Sequence, residues 1–157
     1  MRGIELSIPG WKDLNLRHVV LDVNGTIAQD GRLMDGVSMR IRQLSEALEV
    51  HLLTADTHGR QSEIDALLGI KAHCVSEGKE ASQKSAYVKA LEGHVAAIGN
   101  GANDADMLRA SDLGLAILGP EGLAYDALRA ADVMCGSPIE ALGLLLTPDR
   151  LRATLRR

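Results

Sequence analysis

The sequence predicts a three-layer α/β fold, in which helices cover both faces of a doubly wound, mostly parallel sheet. Short apolar segments rich in Val, Ile, Leu and Ala recur along the 157 residues, at 19–21, 50–53, 95–98 and 113–118. Helical periodicity fills the intervals, as in the 3–4 spacing of Val37, Ile41, Leu44 and Leu48. Strands that alternate with helices favour parallel pairing through right-handed crossovers.

The first third of the chain contains two of these strands. Residues 4–8 alternate apolar and polar, which predicts a short strand that Pro9-Gly10 ends. Residues 13–15 are interpreted as polar linker, so 1–15 form an N-terminal strand and linker. An excursion over 26–34 turns at Asp30-Gly31, and Asp35 or Gly36 then caps a helix to about 47. The strand at 50–53 follows.

The remaining elements continue the alternation. Asp56 or Thr57 is predicted to cap a helix that Gly69 stops. Further helices are predicted at 79–91, from Asn103 or Asp104, at 121–130, at 138–146 and within 147–157, with short strands at 72–75 and 132–135. Met34, Met39, Met107 and Met134 are expected to fill gaps in the core. No composition shift divides the chain, so we expect one domain over 1–157.

Composition excludes several classes of function. Hydrophobic residues make up 46% of the chain and charged residues 24%, which is typical of a packed soluble domain. The net charge is −4 and only three aromatic residues occur, so we expect no nucleic-acid partner. Cys74 and Cys135 lack metal spacing and form no disulfide framework. No apolar segment approaches the roughly 20 residues that cross a bilayer, so we expect a cytoplasmic protein without a membrane partner.

Polar residues follow the strand at 19–21 directly. Asp22 stands at its end, Asn24-Gly25 turns the chain, and Thr26 supplies a hydroxyl. Ligands of open α/β sheets bind beyond the carboxyl ends of the strands, so Asp22 would meet a ligand on a rigid element. Asn-Gly between apolar segments is also a strong hairpin signal, which remains the alternative.

Three further features are candidates for the same site. Thr54 ends the strand at 50–53, where a hydroxyl and free helix amides can bind an anion. Lys84 lies in a helix, although a helical Lys is usually solvated. The loop 99–104 combines two glycines with the polar side chains Asn100, Asn103 and Asp104. Glycines allow close backbone approach to a ligand, whereas a structural turn needs no such polar side chains.

The order of these four features resembles the haloacid dehalogenase (HAD) superfamily of phosphotransferases. The matching pieces are Asp22-x-x-Gly25-Thr26, Thr54, Lys84 and Gly99-Asn100-Gly101-Ala102-Asn103-Asp104. Thr54-Ala55-Asp56 and the segment from Lys84 to the glycine loop also look like the phosphorylation domain of P-type ATPases. The likeness covers about residues 18–135, without transmembrane helices or a nucleotide-binding insert.

The resemblance implies a role for each matched residue. Asp22 would be the nucleophile that forms an aspartyl phosphate, and would bind Mg²⁺ together with the backbone carbonyl of Asn24, Asn100 and Asp104. Thr54, Lys84, Gly25 and Ala55 would hold the phosphoryl group. Thr26, Asp56 and Asn103 would support these residues.

Two departures from the superfamily pattern affect the expected activity. Phosphatases of this superfamily usually carry an acid two residues after the nucleophile, where this chain has Asn24. General acid–base help is typically worth roughly 10²–10⁴-fold, so hydrolysis would be slow. P-type ATPases carry Thr at that position, in keeping with the resemblance. Asn100 replaces a usual metal-binding Asp, so weaker Mg²⁺ binding is expected.

The motif spacing leaves no room for a cap domain. Thr26 and Thr54 are 28 positions apart, and Thr54 and Lys84 are 30 apart, whereas a lid domain needs about 50 residues. Capless members act on macromolecules or cover their sites by oligomerising, so a homo-oligomer is one expectation. A slow phosphohydrolase for a phosphorylated small molecule or protein is the first hypothesis. A non-catalytic phosphate- or partner-binding module and a regulatory partner of a transport system are the alternatives.

Overall fold

The computed structural model describes residues 2–56 and 59–157. Within these ranges the strands are β1 (Ile4–Ser7), β2 (Asp13–Asp22), β3 (Ala28–Gln29), β4 (Arg32–Leu33), β5 (Glu49–Thr54), β6 (His73–Cys74), β7 (His94–Gly99), β8 (Leu113–Ile117) and β9 (Val133–Cys135). The helices are α1 (Val37–Leu44), α2 (Gln61–Leu68), α3 (Glu80–Ala90), α4 (Ala105–Ala110), α5 (Tyr125–Ala130), α6 (Pro138–Leu146) and α7 (Pro148–Leu155). None of these helices is long and apolar enough to cross a bilayer.

The sheet places β2 at its centre. Its strands follow the order β6-β5-β2-β7-β8-β9 and all pair in parallel, while β1 pairs antiparallel with the first half of β2. In chain order, β5 and β6 lie on one side of β2, and β7, β8 and β9 then lie on its other side. β2 therefore ends at the switch point where ligands of such sheets bind. The predicted fold class is confirmed.

Helices cover both faces of this sheet. Val19 and Leu21 of β2 belong to the core cluster that includes residues of α1 and α6. Val20, between them in sequence, belongs to a second cluster with residues of α3, α4 and α5. All three side chains are fully buried, because successive residues of a strand face opposite layers.

Two segments differ from the sequence prediction. Residues 13–15, expected as linker, are the first part of β2, since Leu14 and Leu16 are buried opposite Leu6 and Ile4 of β1. The helix expected from 121 begins only at Tyr125. The preceding residues form a turn that contains a Gly119–Gly122 bridge. The start of β2 could not be recognised from the sequence, because the polar residues Asp13 and Asn15 lie on its more exposed face.

Helix α2 and the Asn-Gly turn also depart from expectation. α2 begins at Gln61, yet the Asp56 carboxylate accepts a hydrogen bond from the Gln61 N–H at 3.0 Å, so Asp56 still stabilises its start. Thr57, the alternative cap, lies outside the described residues. Asn24-Gly25 does not join two hairpin strands. The N–H groups of residues 26–28 instead all donate to the Val23 carbonyl.

The methionine prediction is half right. Met107 is fully buried and Met34 packs partly buried against the core. Met39 and Met134 are instead exposed on the surface, so the prediction is wrong for these two. The flexible, weakly polar thioether is tolerated at either kind of position, which is why residue type alone could not separate them.

Candidate active site

Four distant chain segments converge at the carboxyl edge of the sheet. Asp22 ends β2, Thr54 ends β5, Lys84 projects from α3, and the loop 99–104 follows β7. The Lys84 Nζ lies 2.7 Å from Asp22 Oδ1 and 2.8 Å from Asp104 Oδ1. The structure thus joins three sequence-predicted residues through one ammonium group.

This ion-pair cluster is almost entirely removed from solvent. The side chains of Asp22, Lys84 and Asp104 are 9%, 3% and 0% exposed. Burial by itself would lower the pKa of Lys84, but the charges of Asp22 and Asp104 outweigh burial and raise it, so the ammonium stays charged. Burial and the charge of Asp22 raise the pKa of Asp104 to about 7, against the opposing effect of Lys84.

Asp104 is committed to protein donors on both oxygens. Its Oδ2 accepts from the N–H of Asn100 at 3.1 Å and of Gly101 at 2.9 Å, while Lys84 occupies Oδ1. The residue does not line the cavity described below. This carboxylate therefore hydrogen-bonds the glycine loop and Lys84, and the metal contact expected for Asp104 stays a prediction. A Cβ on Gly99 would lie 2.5 Å from Asp104 Cγ, which explains the glycine.

Thr26 connects the nucleophile candidate to the glycine loop. Its hydroxyl lies 2.8 Å from Asp22 Oδ2 and 3.1 Å from Asn100 Oδ1, so its one proton is directed between two acceptors. The Asn100 amide nitrogen donates to the Gly122 carbonyl at 3.2 Å. That bond turns the Asn100 oxygen toward Thr26 and Asp22. Thr26 and Asn100, both predicted site residues, thus have their side-chain oxygens on the side of Asp22.

Gly25 stabilises the turn that follows Asp22. Its N–H donates to the Ala28 carbonyl at 2.7 Å, and its expected contact with a phosphoryl group stays a prediction. Its φ is +82°, and a Cβ there would lie 2.8 Å from Asn100 Nδ2. Glycine is therefore required both by backbone conformation and by the close approach of Asn100.

The end of β5 presents a hydroxyl and a free amide. Thr54 Oγ1 accepts a hydrogen bond from the Asp56 N–H at 2.9 Å, which leaves the hydroxyl proton for another acceptor. Asp56 has a positive φ of 52°, which turns the chain sharply after Ala55. Among the described residues, no backbone acceptor takes the Ala55 N–H. Thr54 and Ala55 can thus both donate to an anion.

These groups surround a cavity of about 200 Å³. Its lining residues are Asp22, Asn24, Thr54, Ala55, Glu80, Lys84, Asn100, Gly101 and Asn103. Eight of them come from the motifs that the sequence indicated. Glu80 belongs to none of these motifs, because an acid in the first turn of a helix is usually solvated. Its position four residues before Lys84, on the same helix face, was the signal that could have found it.

Sequence comparison identifies both small and large relatives. No protein-family model matches the chain. An uncharacterised protein of Methanocaldococcus jannaschii is 37% identical over 90 residues, which cover 52% of this chain and 97% of that protein. The chloroplast copper-transporting ATPase PAA1 of Arabidopsis thaliana is 28% identical over 144 residues, 86% of this chain but 14% of the ATPase.

Solved structures share the fold at low sequence identity. The 3-deoxy-D-manno-octulosonate 8-phosphate phosphatase of Moraxella catarrhalis, in complex with magnesium, phosphate and KDO, has a TM-score of 0.69 at 17% identity over 90% of this chain and 94% of its own. A Legionella pneumophila hydrolase assigned to HAD subfamily III A scores 0.65 at 16% identity over 88% and 86%. A zinc-transporting PIB-type ATPase scores 0.64 at 22% over 78% and 20%.

The chain belongs to the family of the archaeal protein and has the HAD fold. The resemblance drawn from the motifs is therefore confirmed at the level of the fold. This HAD fold carries no cap domain within the described residues. Among the described residues, the elements between Thr26 and Thr54 are the β3–β4 hairpin, α1 and the rest of β5, and those between Thr54 and Lys84 are α2, β6 and the start of α3.

The oxygen atoms of this HAD site fit a hard divalent cation. Asp22 offers a carboxylate and Asn100 an amide oxygen, and no backbone donor among the described residues takes the Asn24 carbonyl. Mg²⁺ prefers such oxygens, with one or two carboxylates, waters and substrate phosphate completing its shell. Asp22, Asn24 and Asn100 therefore fit Mg²⁺, while Asp104, which accepts three hydrogen bonds from the protein, stays a predicted ligand.

Proposed function

We propose that the chain is a slow, Mg²⁺-dependent phosphohydrolase that works through an aspartyl phosphate on Asp22. One observation carries this proposal: a buried carboxylate at the end of the central strand borders a small cavity and lies 2.7 Å from the Lys84 ammonium. The Lys84 ammonium pairs with the negative charge of the carboxylate, which is the form in which this group acts as a nucleophile. Thr54 and Ala55 offer donors for phosphoryl oxygens on the opposite side of the cavity.

The proposed first step forms one bond and breaks another at phosphorus. An Asp22 carboxylate oxygen attacks, the bond from phosphorus to the substrate oxygen breaks, and the leaving oxygen takes a proton from water. Lys84, the Thr54 hydroxyl and the Ala55 N–H stabilise the charge on the phosphoryl oxygens. Water then hydrolyses the acyl phosphate, which releases inorganic phosphate and restores the Asp22 carboxylate.

Asn24 limits the proposed reaction. It lines the cavity, but its amide is neither acidic enough to protonate a leaving group nor basic enough to activate water. The missing general acid–base help corresponds to roughly 10²–10⁴-fold in rate. Bound Mg²⁺ would supply charge neutralisation between the anionic nucleophile and the anionic phosphate. Asn100, being neutral, would hold the ion less tightly than a carboxylate.

The substrate class follows from the size and openness of the site. Ligand pockets usually measure about 300–1,000 Å³, so a cavity of about 200 Å³ suits a phosphoryl group rather than a whole substrate. The rest of a phosphorylated small molecule or protein would remain outside the chain. A second protomer that covers the opening is part of this proposal and is tested by the oligomeric state in solution.

The decisive experiment measures phosphate release from p-nitrophenyl phosphate and acetyl phosphate with Mg²⁺. Asp22→Asn is expected to abolish turnover, and the exposed Asp106→Asn on α4 serves as the matched control. Asn24→Asp should raise the rate toward the 10²–10⁴-fold that an acid supplies. Unchanged turnover in Asp22→Asn would refute the nucleophile, and an unchanged rate in Asn24→Asp would refute the account of the slow rate.

A binding module without catalysis is the second candidate. Two neutral amides, Asn24 and Asn100, occupy positions at this site where the resemblance implies carboxylates. Magnesium and phosphate binding without turnover, measured by calorimetry on the same protein, would support this candidate over the first. A regulatory role in a transport system would further require binding to a P-type transporter.

A further inference from the structure

A second polar cluster lies at the opposite end of the sheet face that carries Asp22. Ligand atoms of His18, Glu49 and His51 lie within 4.8 Å of one another. His18 precedes Asp22 by four residues of β2, which places the two about 13 Å apart along the strand. The cluster is therefore separate from the candidate active site, although α3 covers both.

Strand register creates this cluster. His18 of β2 pairs directly with Glu49 of β5, and His51 follows Glu49 by two residues, so all three share one face. His51 and His18 are largely buried, whereas the Glu49 side chain is 57% exposed. The cluster is thus anchored by two fixed rings and remains accessible from the Glu49 side.

The outer ring nitrogens of both histidines are held by other groups. His18 Nε2 lies 2.9 Å from the Glu92 carbonyl, which can only accept, so Nε2 carries the proton and Nδ1 presents a lone pair to the cluster. His51 Nδ1 lies 2.8 Å from the Tyr87 hydroxyl, which can donate or accept. Outer-sphere partners of this kind orient the histidines of metal sites.

The inner atoms have nearly the spacing that a metal requires. His18 Nδ1 and His51 Nε2 are 3.1 Å apart, Glu49 Oε2 lies 3.5 Å from His18 Nδ1, and the other carboxylate oxygen, Oε1, lies 3.9 Å from His51 Nε2. Tetrahedral ligands with bonds of about 2.0–2.1 Å are about 3.3–3.4 Å apart. To bind one ion, the two nitrogens must move apart by a few tenths of an ångström, and the exposed Glu49 carboxylate must rotate so that one oxygen faces both of them. The proton of His51 moves to Nδ1, from which it is hydrogen-bonded to the Tyr87 hydroxyl oxygen.

We propose that His18, His51 and Glu49 bind a divalent transition-metal ion such as Zn²⁺. Two imidazole nitrogens and one carboxylate form a donor set that suits zinc and similar ions and not Mg²⁺, with water in the fourth position. Tyr87 lies in α3 and Glu92 follows that helix. The bound ion would therefore connect β2, β5 and α3. Bound metal should therefore raise the unfolding temperature.

The test uses metal-stripped full-length protein, with Zn²⁺ and Co²⁺ as probes. We expect one equivalent of Zn²⁺ by calorimetry, a Co²⁺ absorption band, and ¹⁵N chemical-shift changes at His18 Nδ1 and His51 Nε2. Tyr87→Phe, which keeps the ring, should weaken binding by about 10–100-fold, as loss of an outer-sphere partner does. Glu49→Gln should weaken it as well, and because that side chain is exposed the variant should fold.

Two control variants decide the location of the ion. Glu46→Gln changes an exposed glutamate outside the ligand set, as a match for Glu49→Gln, and should leave Zn²⁺ affinity unchanged. Asp22→Asn changes the oxygen site at the other end of β2 and should leave the stoichiometry of Zn²⁺ uptake at one equivalent. The proposal is overturned if wild-type protein takes up no Zn²⁺, if uptake is lost in Asp22→Asn, or if Glu49→Gln and Tyr87→Phe bind as wild type does.

Discussion

Replacing Lys84 with Met tests the buried ion-pair cluster most directly. The change keeps the aliphatic stem and removes a cation that lies within 2.8 Å of both Asp22 and Asp104. Two carboxylates would then share a site in which neither is more than 9% exposed. Breaking a buried ion pair from one side costs about 3–5 kcal/mol of unfolding free energy, so we expect a loss of that size at pH 8.

The loss should depend on pH in a defined direction. The pKa of Asp104 is about 7 in the folded protein, above its ordinary value of 3.8. The contribution of this group to stability is therefore fully present below about pH 4 and is lost as the pH rises through 7. Without Lys84, which opposes the shift, the pKa rises further. At pH 5 Asp104 of the variant is then protonated and no longer repels Asp22. Lys84→Met should therefore destabilise the protein less at pH 5 than at pH 8.

Urea unfolding followed by circular dichroism, in EDTA, measures both effects. Lys89→Met, an exposed position on the same helix, should change stability by no more than about 0.5 kcal/mol. Adding Asp104→Asn to Lys84→Met should recover part of the loss, since it removes one of the two uncompensated charges. A Lys84→Met variant as stable as Lys89→Met at pH 8, or one with equal losses at both pH values, would refute the account of the cluster.

Three further predictions concern single positions. Gly25→Ala and Gly122→Ala share a φ of +82°, but only the first meets Asn100, so Gly122→Ala should cost about 1–2 kcal/mol in thermal unfolding and Gly25→Ala clearly more. Burial raises the pKa of Cys135 to about 11, with a contribution from Glu140, so iodoacetamide at pH 8 should label exposed Cys74 alone until urea is added. Ser137→Ala removes the cap on the Glu140 N–H and should cost about 1 kcal/mol.

The sequence predicted the location of the site better than its internal bonding. Asp22 and Thr54 follow apolar segments too short and too β-branched for helices, and parallel strands must end at one edge. That reasoning needs only periodicity and topology. It could not predict that Gly25 N–H bonds Ala28 or that Asp104 is fully used by Lys84 and the glycine loop, because these depend on backbone angles within single turns.

The remaining differences between the prediction and the structure occur at residue types that are common in more than one structural setting. Asp13 and Asn15 are usual in linkers, yet they occupy the exposed side of an edge pairing whose buried side carries Leu14 and Leu16. Glu80 is typical of a solvated first helical turn, yet the turn opens on the cavity. His18 and His51 carried no spacing signal, because their proximity arises from pairing between strands 33 residues apart.

Helix α3 links the two sites that this fold supports. It carries Lys84 toward Asp22 at one end of β2, and Tyr87 toward His51 nearer the other end. A metal held through His51 restricts how α3 lies on the sheet, and the position of α3 sets the distance from Lys84 to the nucleophile. Binding at two coupled sites is reciprocal. The factor by which Zn²⁺ changes the affinity for a phosphate analogue must therefore equal the factor by which that analogue changes the affinity for Zn²⁺.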